Sequence, residues 1–303
     1  MSRIRIGSRG SMLALAQSNW LKQQLTEHYA DLEVDLTIIK TSGDRFVDRP
    51  IAAIGGKGVF TKEIEDALLR GDIDIAVHSM KDLPTELPAG LAIAAVPLRE
   101  DARDVLVSRS QLGLKELPRG ARLATGSLRR RAQLLHYRGD LSLAPIRGNI
   151  DTRLRKLDAG EADALVLAAA GLKRIGRAES ISEFLADEIC VSAVAQGALG
   201  IEARDDGAMA VLLAFLHDAG TNAEVAAERA LLARLGGGCH VPVGARARVA
   251  GDVLKMLAVV VEPNGKSLCR GEISGQAGDA AVLGQRLAEQ LIRDGADQIL
   301  ASS

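Results

Sequence analysis

Polar and apolar residues alternate through Arg3–Ser8 (RIRIGS), the period of a half-buried strand. Residues 11–29 then place Leu13, Ala16, Trp20 and Leu25 near helical spacing, so the chain opens with a strand, a Gly/Ser turn and a helix. Alternation returns over 33–40, residues 60–70 predict a helix, and 73–78 and 91–96 predict buried or half-buried strands. This β-α-β-α-β rhythm predicts a largely parallel sheet covered by helices. It restarts after the charged stretch 99–104, with strands near 104–108, 121–125, 141–146 and 163–168 and helices near 127–138 and 149–159. The strand-to-helix turn after Arg5-Ile6 resembles the one after Arg122-Leu123, a weak sign of two similar α/β lobes. A helix over 224–235 follows, then strands around an Asn264-Gly265 hairpin signal and a helix from about 279 to 293. That last pattern predicts a smaller α+β domain.

A length of 303 residues suffices for two or three domains with their own cores. Hydrophobic residues at 47% and charged residues at 25% exclude a largely disordered chain. A net charge of -1 gives no global attraction to nucleic acid or to an anionic membrane, so acidic ligands must be held by local clusters. The first segment carries no unbroken apolar run before a cleavage site, so no signal peptide is expected. The most apolar run, 164–172, is about half the length a bilayer requires. Three cysteines (Cys190, Cys239, Cys269) without C-x-x-C spacing argue against a disulfide framework or zinc ribbon, and fit a reducing cytoplasm.

Charge is concentrated between Arg129 and Lys156, where Arg129, Arg130, Arg131, Arg138, Arg147, Arg153, Arg155 and Lys156 face only Asp140 and Asp151, a local surplus of +6. Thr125-Gly126-Ser127-Leu128-Arg129-Arg130 sits where a strand passes into a helix, so free N–H groups, the helix dipole and guanidinium forks converge there on an anion. Arg147-Gly148-Asn149 repeats this one βα unit later. A solvated basic helix face is the alternative, and placement at strand ends favours a site. Aromatics are 2% of the chain and none interleaves the arginines, which favours a small polycarboxylate over nucleic acid.

The strand at 73–78 delivers Ser79-Met80-Lys81-Asp82-Leu83-Pro84 to its carboxyl end, where open α/β sheets bind ligands. Asp82 is either a carboxylate placed to stabilise a cation, with Lys81 binding substrate carboxylates, or a turn aspartate. Gly55-Gly56-Lys57-Gly58 lacks Walker spacing and reads as a lid or plain loop. Gly236-Gly237-Gly238-Cys239-His240 puts a thiol on a glycine-rich turn; a lone cysteine is more often inert packing. No histidine pair has metal spacing, so no metal is expected.

Val77-His78-Ser79-Met80-Lys81-Asp82-Leu83-Pro84, Ser127-Leu128-Arg129-Arg130, Arg147-Gly148-Asn149, Thr152-Arg153-Leu154, Ala170-Gly171-Leu172-Lys173-Arg174, Gln196-Gly197-Ala198-Leu199-Gly200 and Gly237-Gly238-Cys239, in this order, resemble the hydroxymethylbilane synthase (porphobilinogen deaminase) family from the first strand to the last helix. The resemblance implies two lobes like those of periplasmic binding proteins, with mixed, mostly parallel sheets, plus a C-terminal α+β domain with an antiparallel sheet. It implies domain 1 at 1–98 and 197–215, domain 2 at 103–193 and domain 3 at 220–303. The return of the chain to domain 1 comes from the resemblance; periodicity alone misses it.

By the same resemblance, Cys239 forms a thioether to a dipyrromethane cofactor that primes the addition of four porphobilinogen molecules. Loss of ammonia leaves a methylene-pyrrolenine cation that Asp82, the catalytic residue, stabilises. Lys81, Asp82, Thr125, Ser127, Arg129, Arg130, Arg147 and Gly148 are implied to hold the cofactor, and Arg9, Ser11, Lys57, Arg147, Arg153, Arg174 and Gln196 the substrate. Water then releases the linear tetrapyrrole. A cytoplasmic monomer without nucleic acid or membrane partners is the accompanying expectation. Four positions depart from the family pattern: Gly126 for a second serine, Ala195 for glycine, Gly236 for glutamate and Ala53 for the lysine of some members. Rival readings are a two-lobed receptor closing on a small anion, and a transferase using Cys239 as a transient nucleophile.

Overall fold

The computed structural model describes residues 3–45, 61–236 and 241–301. In chain order its elements are β1 (Arg3–Ser8), α1 (Met12–His28), β2 (Glu33–Ile38), α2 (Ser42–Arg45), α3 (Lys62–Arg70), β3 (Ile75–Ser79), β4 (Leu91–Ala95), β5 (Asp104–Ser108), β6 (Arg122–Ala124), α4 (Leu128–Tyr137), β7 (Ser142–Ala144), α5 (Ile150–Asp158), β8 (Ala164–Ala168), α6 (Ala169–Arg174), β9 (Glu183–Phe184), β10 (Leu199–Arg204), α7 (Ala208–Leu212), α8 (Ala219–Arg234), β11 (Val243–Ala250), β12 (Val253–Val261), β13 (Leu268–Gln276), α9 (Ala280–Arg293) and α10 (Ala296–Ala301). The α/β class expected from the hydrophobic pattern is present.

The chain divides into two compact units, Met1–Leu98 with Leu199–Asp218, and Arg99–Ala198 with Ala219–Ser303. The first unit holds a five-stranded sheet in the order β2-β1-β3-β10-β4. β1 pairs in parallel with β2 and β3, while β10 is antiparallel to β3 and β4, so four strands point one way and β10 the other. Alternation in β1 buries Ile4 and Ile6 against Leu21 and Leu25 of α1, with Ile75 and Ile201 completing the core. α1 starts where Ser11 Oγ accepts the Ala14 N–H at 3.3 Å, satisfying one of the orphan donors of the first turn.

The second unit contains a sheet ordered β7-β6-β8-β5-β9, with the same pattern of directions: β5 alone runs against the other four. In each sheet the reversed fourth strand is the one reached when the chain crosses from one unit to the other. The repeat suggested by the two similar turns is therefore topological. The remaining sheet of this unit is antiparallel, β11-β12-β13. α9 covers it through Leu283, Leu287 and Leu291, apolar residues at helical spacing that are all buried.

Some boundaries differ from the periodicity. β7 stops at Ala144, because Pro145 has no N–H for the ladder. α8 begins at Ala219 rather than at 224, since its first turn is small and polar and only the buried Thr221 marks it as packed. β10 escapes the pattern because a glycine and a buried glutamate interrupt its apolar run.

Candidate functional site

In the first unit, β1 and β3 lie side by side with Ile6 opposite Ile75, so the turns that follow them leave the same sheet edge. Arg9 and Ser11 occupy the first turn, and Ser11 is committed to capping α1. Residues Met80–Asp82 form a single 3-10 turn after β3, with Met80 buried, Lys81 half-buried and Asp82 exposed. Gln17, a buried residue of α1, donates from Nε2 to Ser79 Oγ at 2.9 Å and ties the strand end to the helix. Nothing in the sequence pattern distinguished Gln17 from any other helix polar residue.

In the second unit, the turns after the parallel strands β6 and β7 carry Thr125, Gly126, Ser127 and Arg147, Gly148, Asn149. Ser127 Oγ accepts the Arg130 N–H and Asn149 Oδ1 accepts the Thr152 N–H, so both helices have side-chain caps and present their remaining first-turn N–H groups at this edge. Thr125 Oγ1 accepts from the Ser127 N–H at 3.2 Å. Arg147 is exposed and, among the described residues, has no carboxylate within ion-pair distance. Arg153 Nε donates to Gly148 O at 2.8 Å. Arg174 donates to Gly197 O at 2.6 Å, and burial lowers its guanidinium to about 10.

Arg129 and Arg130 turn inward. Arg129 Nη1 donates to Asp104 Oδ2, to Cys190 Sγ and to Val191 O. Arg130 donates from Nε and Nη2 to Asp104 Oδ1 and from Nη1 to Val166 O. Gln196 joins them, donating to Asp104 Oδ1 and Ala102 O at 2.8 Å each. Burial pushes the Asp104 carboxyl up, but the two guanidiniums overrule it and hold it far below the usual carboxylate range. One buried anion thus serves two buried cations, leaving a positive surplus at the sheet edge. The sequence marked the two arginines but not Asp104, whose only trace was an acid opening an apolar strand.

Lys57, Cys239 and its neighbours Gly237, Gly238 and His240, and Ala53, lie outside the described residues. Gly236 follows α8 with φ of 67°, a left-handed conformation that costs glycine less than glutamate. Ala195 also has a left-handed backbone, φ 57°. Among the described residues, no cluster of His, Cys, Asp and Glu is placed to hold a metal ion, and no helix is long and apolar enough to cross a membrane.

Residues 4–211 match the family described as porphobilinogen deaminase, dipyromethane cofactor binding domain, and residues 222–293 match the porphobilinogen deaminase C-terminal domain. The porphobilinogen deaminase of Geotalea uraniireducens is 49% identical over 302 residues, covering 99% of this chain and 95% of its own. That of Trichlorobacter lovleyi is 50% identical over 299 residues, covering 98% and 96%. Among solved structures, a putative methionine-binding lipoprotein of Bacillus subtilis is similar at 14% identity and a TM-score of 0.41, covering 71% of this chain and 90% of its own. The family matches span nearly the whole chain, and the chain belongs to the porphobilinogen deaminase family.

Proposed function

We propose that the protein is a cytoplasmic, monomeric hydroxymethylbilane synthase, a transferase that joins four porphobilinogen molecules head to tail with loss of ammonia and releases the linear product to water. The observation that carries the assignment of roles is the exposed Asp82 at the tip of the turn after β3, beside the half-buried Lys81.

The residues fit a polycarboxylate such as dipyrromethane. Asp104 leaves Arg129 and Arg130 with a surplus charge, and among the described residues neither Arg147 nor the partly desolvated Arg174 has a carboxylate at ion-pair distance. Thr125, Ser127, Arg129, Arg130, Arg147 and Gly148 would hold the cofactor's carboxylates, with Lys81 and Asp82 at its pyrroles and Cys239 as the attachment point. When bound, the cofactor supplies the nucleophilic pyrrole carbon from which the product grows.

Asp82 would oppose the positive charge that develops on porphobilinogen as ammonia departs, an effect strengthened where water is excluded. Lys81, Arg9, Ser11, Lys57, Arg147, Arg153, Arg174 and Gln196 would orient the substrate's acetate and propionate, with guanidinium forks suited to paired carboxylate oxygens. Arg130 and Gln196 would act from within the Asp104 network, because both donate to Asp104 Oδ1.

The test is the intact mass of the denatured protein against that of Cys239→Ser, together with turnover of Asp82→Ala. A mass increment of two linked pyrroles that is absent from Cys239→Ser, with turnover lost in a folded Asp82→Ala, is the expected result. No increment even after incubation with porphobilinogen would overturn the attachment, and near-normal turnover of Asp82→Ala would remove it from the reaction.

A further inference from the structure

The strand that delivers Asp82 is gripped by β10 in a way the reaction described above does not use. β10 pairs with β3 antiparallel, Leu199 opposite Ser79, Gly200 opposite His78 and Glu202 opposite Ala76. His78 and Glu202 therefore lie diagonally on one face of the sheet, the face α3 covers through Ile64, Ala67 and Leu68. His78 Nε2 approaches Glu202 Oε2 at 2.9 Å, with side-chain exposures of 7% and 0%. The approach is off the hydrogen-bond axis, and neither Glu202 oxygen has a hydrogen-bond partner among the described residues. Glu65 of α3 also belongs to this cluster, with Thr61 beside it and Asp66 acting on it from the next position. Glu65 Oε1 and Thr61 Oγ1 are likewise without hydrogen-bond partners. Burial pushes the Glu65 carboxyl up; the neighbouring Thr61 hydroxyl opposes the rise, Glu202 adds to it and His78 opposes it.

Two further contacts lock the same short stretch. Ser79 is held by Gln17, as described. Met80 fills the space over Gly200, where a Cβ would lie 2.2 Å from Met80 Sδ and 3.2 Å from its Cγ. So His78, Ser79 and Met80, the residues leading into Lys81 and Asp82, are each fixed by a different neighbour, two of them in β10.

The backbone ladder already secures the register of β3 against β10. An apolar pair would fill the space of His78 and Glu202 without burying a carboxylate that lacks hydrogen bonds, and such replacements are often neutral or stabilising. The polar pair is thus a poor device for stability alone. It suits placement, because separating the two buried polar groups would leave each unpaired away from water, which holds β3 and β10 at this spacing.

We propose that Glu202 and Gly200 of β10 are positioning residues for the reaction, Glu202 acting through His78 and Gly200 through Met80 to set the turn that carries Lys81 and Asp82. The proposal rests on the role assigned to Asp82 above. It gives a chemical reason for the return of the chain to the first unit: the segment reached after residue 198 supplies the support on which that turn is built.

The experiment compares Glu202→Gln, His78→Gln, their double variant and Gly200→Ala with the unaltered holoenzyme, reading kcat and KM for porphobilinogen per cofactor-bearing molecule counted by intact mass. Each single change is expected to lower kcat by about tenfold or more while KM stays within about threefold, the signature of lost placement rather than lost binding. The double variant is expected to be no slower than the slower single variant, within about twofold, since each side chain acts through the other. Gly200→Ala, one added methyl over Met80, carries the test by itself should Glu202→Gln not fold. Unchanged kcat in Gly200→Ala and His78→Gln, or losses that multiply in the double variant, would overturn the proposal. Asp82→Ala is measured alongside: turnover retained there defeats the role of Asp82, whereas turnover lost there with normal β10 variants defeats only the positioning.

Discussion

Asp104 and Arg130 are joined twice through one oxygen: Asp104 Oδ1 accepts from Arg130 Nε at 3.0 Å and from Nη2 at 2.7 Å, while Oδ2 takes Arg129 Nη1 at 2.6 Å. With Asp104 fully buried, the pairing strings α4 onto the start of β5. Asp104→Asn leaves two buried guanidiniums without a counter-ion and should destabilise the protein by about 3–5 kcal/mol, read from urea unfolding. A loss below about 1 kcal/mol would mean that Gln196 or water neutralises the arginines adequately.

The same pair sets a pH dependence. The folded Asp104 carboxyl is held far below its unfolded value of about 3.9, so its stabilisation is complete above that value and is lost as pH falls toward the folded one. Unfolding free energy followed from pH 6 downward should therefore decline below about pH 4, and the decline should be shallower in Asp104→Asn. Identical acid slopes in the two proteins would assign the acid sensitivity to other carboxylates.

Gly126, where the resemblance leads one to expect a second serine, is a packing requirement of this chain. A Cβ there would lie 2.8 Å from Ile146 O, a backbone atom of the neighbouring turn. Gly126→Ser is expected to cost about 1–3 kcal/mol in stability as the two turns are forced apart. Unfolding by urea decides it, and an unchanged midpoint would show that the 145–147 turn gives way freely.

Ala195, the other departure in a turn, is expected to be nearly neutral toward Ala195→Gly. Relief of a left-handed backbone gains about 1–2 kcal/mol. Loss of a buried methyl costs about 0.8 kcal/mol and the added freedom of the unfolded chain about 0.4–1 kcal/mol. The sum lies within about 1 kcal/mol of zero, which thermal unfolding can check; a larger shift would point to a changed Ala195 N–H contact with Glu228.

Cys190 is buried and donates to Asp104 at 3.3 Å, and burial beside that carboxylate pushes its thiol up to about 12. At pH 8 roughly one molecule in 10,000 carries the thiolate there, so native Cys190 should resist alkylation and become labelled only after denaturation. Cys190→Ser keeps a donor for Asp104 and should retain activity, as should Cys269→Ser. Peptide mass mapping tests the first statement and turnover the second; rapid native labelling of Cys190 would show that the Asp104 cluster opens.

The α/β class and a change of pattern toward a C-terminal α+β region were legible from local signals, whereas the two lobes and the antiparallel sheet of the third region came with the resemblance. Alternation in Arg3–Ser8, helical spacing in α1 and α9, and apolar strands such as β8 report which face of one element is buried, and that depends on neighbours a few residues away. Motif residues at strand ends, Asp82, Ser127 and Arg147 among them, were legible for the same reason: a strand-to-helix turn is a local event.

Partners far apart in sequence were not legible. Asp104 reaches Arg129, Cys190 and Gln196 across up to 92 residues, and Glu202 reaches His78 from a strand that the hydrophobic pattern passes over. The arginine-rich run announced positive charge, yet only folding chose which guanidiniums would be consumed by a buried carboxylate and which would stay at the surface. Periodicity records burial along one element. The pairing of charges depends on which strands become neighbours, and the β10 insertion beside β3 and the reversed β5 beside β8 make that choice through long-range backbone ladders.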